Sequence, residues 1–151
     1  MALRQQTRRG AAVGLAEINM ATQRLHFAGV GNIAGVDDEP VIANALARLL
    51  RRDGHTVDTA ANGRLALMKL QERAYDLILS DLRMPELDGP GLYRALETRY
   101  PQLCQRFIFL TGDTLNPDTH ALSVQHGVPQ LFKPYTAAEL RRVIHQVLQA
   151  V

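Results

Sequence analysis

Tryptophan is absent from this chain, cysteine occurs once and lysine twice, against fifteen arginines. A lone Cys104 excludes an intramolecular disulfide and agrees with a reducing compartment. No apolar run approaches the roughly 18–20 residues that a membrane-spanning helix needs. The amino terminus lacks the continuous apolar stretch of a secretory signal. A cytoplasmic location with no membrane partner is therefore expected. A dominant charge of one sign is missing too. The net charge of +2 divides into +3 over residues 1–31, where Arg4, Arg8, Arg9 and Arg24 face only Glu17, and −1 over the rest. The body is close to neutral, so no direct nucleic-acid footprint is expected there. What remains is ordinary: 151 residues, 46% apolar and 21% charged, amount to one globular domain's worth of chain.

Residues 1–31 show no periodicity and read as a mobile or loosely helical basic arm. Gly29 to Gly35 superficially suggests a dinucleotide loop, but it runs into Asp37-Asp38-Glu39, which would repel a pyrophosphate. From Asn32 onward short apolar runs alternate with helical patterns. The run Leu77-Ile78-Leu79-Ser80 ends on Asp81, after which Met84-Pro85, Asp88 and Gly89 break the chain. Such runs read as buried strands of a parallel sheet, and open α/β sheets place their ligands at the carboxyl ends of those strands.

The remaining strands are expected over 32–36, 55–60, 107–110 and 130–132. Between them, Asp38 is expected to cap a helix with Pro40 in its first turn, facing the sheet through Ile42, Ala45, Leu46, Leu49 and Leu50. A second helix would bury Leu67, Met68 and Leu70, a third spans 92–99, and a fourth, weaker one lies around 117–126. Thr136 and Glu139 form a capping box that opens the last helix, whose apolar face is Leu140, Val143, Ile144, Val147 and Leu148. Five strands alternating with five helices imply a doubly wound α/β fold: a five-stranded parallel sheet with helices on both faces.

Asp37-Asp38, Asp81 with Met84-Pro85 and Asp88-Gly89, Thr111-Gly112, and Lys133-Pro134 occur in order. In this the chain resembles the receiver domain of two-component response regulators, over residues 32–151, with the flavodoxin-like fold of that family. The resemblance implies that Asp81 accepts a phosphoryl group from a phosphohistidine. Asp37, Asp38, Asp81 and the backbone carbonyl of Arg83 would hold Mg²⁺, a hard cation suited to clustered carboxylates. Lys133 and the Thr111 hydroxyl would contact phosphoryl oxygens. The implied partners are a histidine kinase or a histidine phosphotransfer protein, and a homodimer is among the assemblies the reading allows. The implied role is a switch rather than a turnover enzyme, in which Thr111 moves inward and the 113–126 region rearranges. Receivers usually carry an aromatic residue three positions before the lysine; here that position is Gln130. Arg83 and Asp113 flank the expected site with opposite charges and would pair across its mouth.

Two other classes compete. A pseudo-receiver would bind partners without phosphorylation; Gln130 and the Ala34-Gly35 pair in the first strand favour it, and the full set of site side chains opposes it. A Mg²⁺-dependent hydrolase with an aspartyl nucleophile would need a second carboxylate two residues after Asp81, where Arg83 stands.

Overall fold

Each strand carries side chains of alternating direction, and in the central strands of this chain both directions are largely apolar. A computed structural model describes residues 30–112 and 116–149. The strands are β1 (Asn32–Val36), β2 (Thr56–Ala60), β3 (Leu77–Asp81), β4 (Phe107–Thr111) and β5 (Gln130–Phe132). They pair in parallel in the order β2-β1-β3-β4-β5. Along β3, Leu77 and Leu79 enter one core while Ile78 enters the other; along β4, Ile108 and Leu110 are separated from Phe107 and Phe109 in the same way. A strand buried on both faces must be apolar throughout, and β4 is buried at every position.

The helices are α1 (Pro40–Arg52), α2 (Gly63–Glu72), α3 (Gly89–Arg99), α4 (Pro117–His126) and α5 (Ala137–Gln149). α1 and α5 supply one core, with Leu46, Leu50, Leu140 and Ile144; α2, α3 and α4 supply the other, with Leu70, Leu92, Leu96 and Leu122. The doubly wound architecture read from the sequence is the one observed. The capping box of α5 is formed: Glu139 N–H donates to Thr136 Oγ1 at 3.0 Å, and Thr136 N–H donates to Glu139 Oε1 at 2.8 Å. All five residues expected on its apolar face are buried.

Three expectations fail. Asp38 does not cap α1: the cap residue is Glu39, without a side-chain hydrogen bond, and Pro40 opens the helix. The buried face of α1 is Ala43, Leu46, Ala47 and Leu50, so the helix is rotated relative to the expected face, with Ile42 and Ala45 exposed and Leu49 half-buried. Small Ala43 and Ala47 let the helix lie close to the sheet. Met68 is 48% exposed, and α2 packs instead through Ala66 and Leu70. A 3-10 helix over Pro101–Arg106, unanticipated, leads from α3 into β4. The expected basic arm lies outside the described residues except at its last two positions.

Candidate functional site

In this strand order the chain winds outward in both directions from β1 and β3, which creates a crevice beyond their carboxyl ends. Val36 pairs with Ser80, so the next residue on each strand, Asp37 and Asp81, stand side by side. Asp37, Asp38 and Asp81 each bring a carboxylate oxygen within 4.8 Å of the others. They differ in setting: Asp37 is 4% exposed, Asp81 is half-buried and Asp38 faces solvent.

The backbone fixes Asp37 firmly. Its N–H donates to the Ala60 carbonyl at 3.0 Å, and its Oδ1 accepts from the Glu39 N–H at 2.9 Å. Its Oδ2 is buried and makes no hydrogen bond. Burial pushes the Asp37 carboxyl above its ordinary value; the Glu39 N–H opposes this, and Asp81 and Asp38 add repulsion that Lys133 partly offsets. A buried carboxylate oxygen without a partner is costly, and a hard cation among three carboxylates removes that cost. The donor set therefore fits Mg²⁺.

Asp81 Oδ1 accepts twice: from the Leu82 N–H at 2.9 Å and from Lys133 Nζ at 3.2 Å. Lys133 is carried in by β5, whose end is fixed by Lys133 N–H donating to the Thr111 carbonyl at 2.8 Å. Burial alone would lower the Lys133 ammonium; the Asp81 carboxylate and its hydrogen bond outweigh this and hold it above the ordinary value. Thr111 ends β4 and is 1% exposed. Its strand neighbour Leu110 pairs with Asp81, which brings Thr111 to the same sheet edge.

The β3–α3 loop is tied down by glycine. A Cβ on Gly89 would stand 2.6 Å from the Asp81 carbonyl oxygen, and the Gly89 N–H donates to Leu82 O at 2.9 Å. Only a residue without a side chain lets α3 begin so close to Asp81. Asp88 then caps α3 through Gly91 N–H at 2.8 Å.

The structure thus brings together Asp37, Asp38, Asp81 and Lys133, with Thr111 on the adjoining strand end. Arg83 is exposed in the loop after β3, and Asp113, its expected partner, lies outside the described residues. Sequence reasoning did not identify the Leu82 N–H as a donor to Asp81, and it placed Tyr135 nearby but pointing elsewhere. Tyr135 is half-buried and within electrostatic reach of Lys133, Asp37 and Asp81; burial foremost raises its hydroxyl's pKa. Its position two residues after Lys133 was the available signal.

The family model for the response regulator receiver domain matches residues 33–145. The chain belongs to the response regulator receiver domain family. Among curated proteins, this receiver is 30% identical over 125 residues to the sensor kinase CckA of Brucella abortus, covering 82% of the chain but 13% of that protein. It is 43% identical over 92 residues to the gliding motility regulatory protein of Myxococcus xanthus, covering 61% of the chain and 12% of that protein. The receiver spans a small part of these relatives.

Among solved structures it is similar to the receiver domain of sensor histidine kinase PA1611 from Pseudomonas aeruginosa, which has a magnesium ion in its active-site cleft. The TM-score is 0.68 at 31% identity, covering 78% of this chain and 97% of that one. The signal receiver domain of a histidine kinase from Syntrophus aciditrophicus matches with a TM-score of 0.70 at 32% identity, covering 80% of this chain and 92% of that one. Receivers act as phosphorylation switches in two-component signalling. Among the described residues no helix is long and apolar enough to cross a membrane.

Proposed function

We propose that this receiver is an active phosphoacceptor and that Asp81 takes the phosphoryl group from a phosphohistidine of a histidine kinase or histidine phosphotransfer protein. The observation that carries the reading is the pairing of Lys133 Nζ with Asp81 Oδ1 at 3.2 Å beside a buried, partnerless Asp37 oxygen. A pseudo-receiver has no need to maintain an ammonium and three carboxylates at one sheet edge, where burial makes the Asp37 charge costly.

A carboxylate oxygen of Asp81 attacks phosphorus in line. A P–O bond forms as the P–N bond breaks, and its electron pair stays on the imidazole nitrogen, which takes up a proton. The product is an acyl phosphate on Asp81. Lys133 is positioned to follow the charge from the carboxylate to the phosphoryl oxygens, and the Thr111 hydroxyl is assigned to hydrogen-bond one of them. Asp38 and Asp81 would hold Mg²⁺ directly, Asp37 largely through water, and the Arg83 carbonyl would complete the protein ligands. Bound there, the cation neutralises carboxylate and phosphoryl charge. The chain serves as a cytoplasmic switch acting through protein contact, with residues 1–31 as an appended arm.

Intact mass after incubation with acetyl phosphate and Mg²⁺ tests this. Wild type should gain one phosphoryl group, and Asp81→Ala should gain none. Folded wild-type protein without an adduct would favour the pseudo-receiver.

A further inference from the structure

Gln130 stands where receivers usually carry an aromatic residue, and its amide has a specific partner. Gln130 Nε2 donates to the backbone carbonyl of Thr119 at 3.0 Å, joining β5 to the first turn of α4. We infer that Gln130 is the latch coupling the Asp81 site to α4: its amide holds the first turn of the helix against β5, and breaking that bond frees the helix.

Three observations converge on this bond. First, α4 is weakly anchored by packing. It buries only Thr119 and Leu122, whereas α5 buries five apolar residues and α1 four. Second, among the described residues its other side-chain ties to the body are two long, exposed polar contacts and a ring contact between Tyr93 and His126 at 6.0 Å. Arg94 meets Asp118 and Glu97 meets His126, each at 3.9 Å, and solvent-exposed pairs of this kind contribute little.

Third, the partner of Gln130 lies at a concentrated point in the local network. Asn116 Oδ1 accepts from the N–H groups of Asp118 and Thr119, and Thr119 Oγ1 donates back to the Asn116 carbonyl at 3.3 Å. Thr119 itself is 1% exposed. The Gln130 bond therefore grips the one buried polar residue of the helix's capped first turn.

The other end of the connection is the site. β5 is three residues long, and Lys133, which pairs with Asp81, follows it directly. Asp81, Lys133, β5, Gln130 and Thr119 form a continuous chain of contacts between the site and α4, as a physical coupling route requires. An aromatic residue at position 130 would act by packing, whereas the Gln130 amide ties the helix through a directional hydrogen bond. The side of the helix away from the sheet carries Val124, 70% exposed, which the released helix would present differently.

The coupling half of the inference rests on Asp81 being a phosphoacceptor; the latch half does not. Amide hydrogen exchange on the full chain tests both, using wild type, Gln130→Leu and Gln130→Glu. The second variant keeps the side chain's shape and loses its donor. Without phosphodonor, amides of residues 119–126 in both variants should exchange about fivefold faster than in wild type, the scale expected for one lost hydrogen bond, with β3 and α5 unchanged. Wild-type exchange in α4 of both variants would overturn the latch, as would acceleration spread equally over β3 and α5.

With acetyl phosphate and Mg²⁺, α4 of wild type should rise toward the variants' rate, and the variants should rise no further. A wild-type adduct seen by mass with α4 exchange unchanged would overturn the coupling. Absence of the adduct would instead count against the phosphoacceptor reading, and the phosphodonor-free comparison would still decide the latch.

Discussion

Lys133 Nζ lies 3.2 Å from Asp81 Oδ1, although 52 residues separate them in sequence. The pair joins two strand ends across the sheet, and its charges are only partly screened, with side-chain exposures of 30% and 15%. Lys133→Met should slow phosphoryl incorporation about tenfold, corresponding to about 1.4 kcal/mol of lost stabilisation. The same change should tighten Mg²⁺ binding, because a positive charge beside the three carboxylates is gone. Calorimetric titration and adduct kinetics measure the two effects, and weaker Mg²⁺ binding in the variant would contradict the electrostatic account.

Asp37 carries a cost in the metal-free protein. Its carboxyl is held above the ordinary range chiefly by burial, so its charged form destabilises the fold at neutral pH. Asp37→Asn should therefore melt above wild type without Mg²⁺. Saturating Mg²⁺ should reverse the order: at a hundred times the dissociation constant, wild type gains about 2.7 kcal/mol, and the variant gains less. Thermal denaturation with and without the metal decides this.

Gly89 touches the nucleophile's own backbone. Gly89→Ala forces its new methyl to within 2.6 Å of the Asp81 carbonyl unless the chain shifts. A stability loss of roughly 1–3 kcal/mol is expected, as for overpacking elsewhere, together with slower phosphorylation. Gly63→Ala, which meets the Leu87 carbonyl at 2.7 Å, should also destabilise. Because its contacts are with Leu87 rather than with Asp81 itself, its adduct formation should be slowed less.

His55 gives the fold a pH dependence remote from the site. Its Nδ1 accepts from the Gly31 N–H at 3.2 Å, and burial holds the imidazole below its ordinary value, against the pull of Asp53 and Asp76. The unfolded chain takes up a proton as pH falls through the ordinary value of 6.5, while the folded chain resists it. The contribution is thus complete above that pH and is lost below it, with a slope of at most about 1.4 kcal/mol per pH unit. His55→Asn retains an acceptor and removes the titration. Denaturant melts at pH 7.5 and 5.5 should show a smaller loss in the variant.

Much of this site was legible because it is local. Acidic and basic residues stand at the ends of short apolar runs, and parallel strand order alone brings those ends together. The apolar face of α5 was legible because a capping box fixed where the helix starts. α1 begins where Pro40 marks it, but it has no capping box. With Glu39 as a cap without a side-chain bond, the helical phase had to be guessed from the bulky Ile42, and it was the small Ala43 and Ala47 that permit close approach. Met68 was misplaced for a related reason: a flexible apolar side chain on α2 is exposed and receives an Arg64 contact at 3.8 Å. The Gln130–Thr119 bond depends on how α4 lies over β5, a tertiary fact with no local pattern behind it.

The central claim is that Asp81 carries the phosphoryl group. Borohydride reduction of the phosphorylated chain, followed by peptide mass mapping, tests it most directly, since reduction converts an aspartyl phosphate to homoserine. The account predicts homoserine at position 81, dependent on Mg²⁺ and on the phosphodonor. Homoserine at Asp37 or Asp38, or none at Asp81 in a chain bearing the adduct, would contradict it.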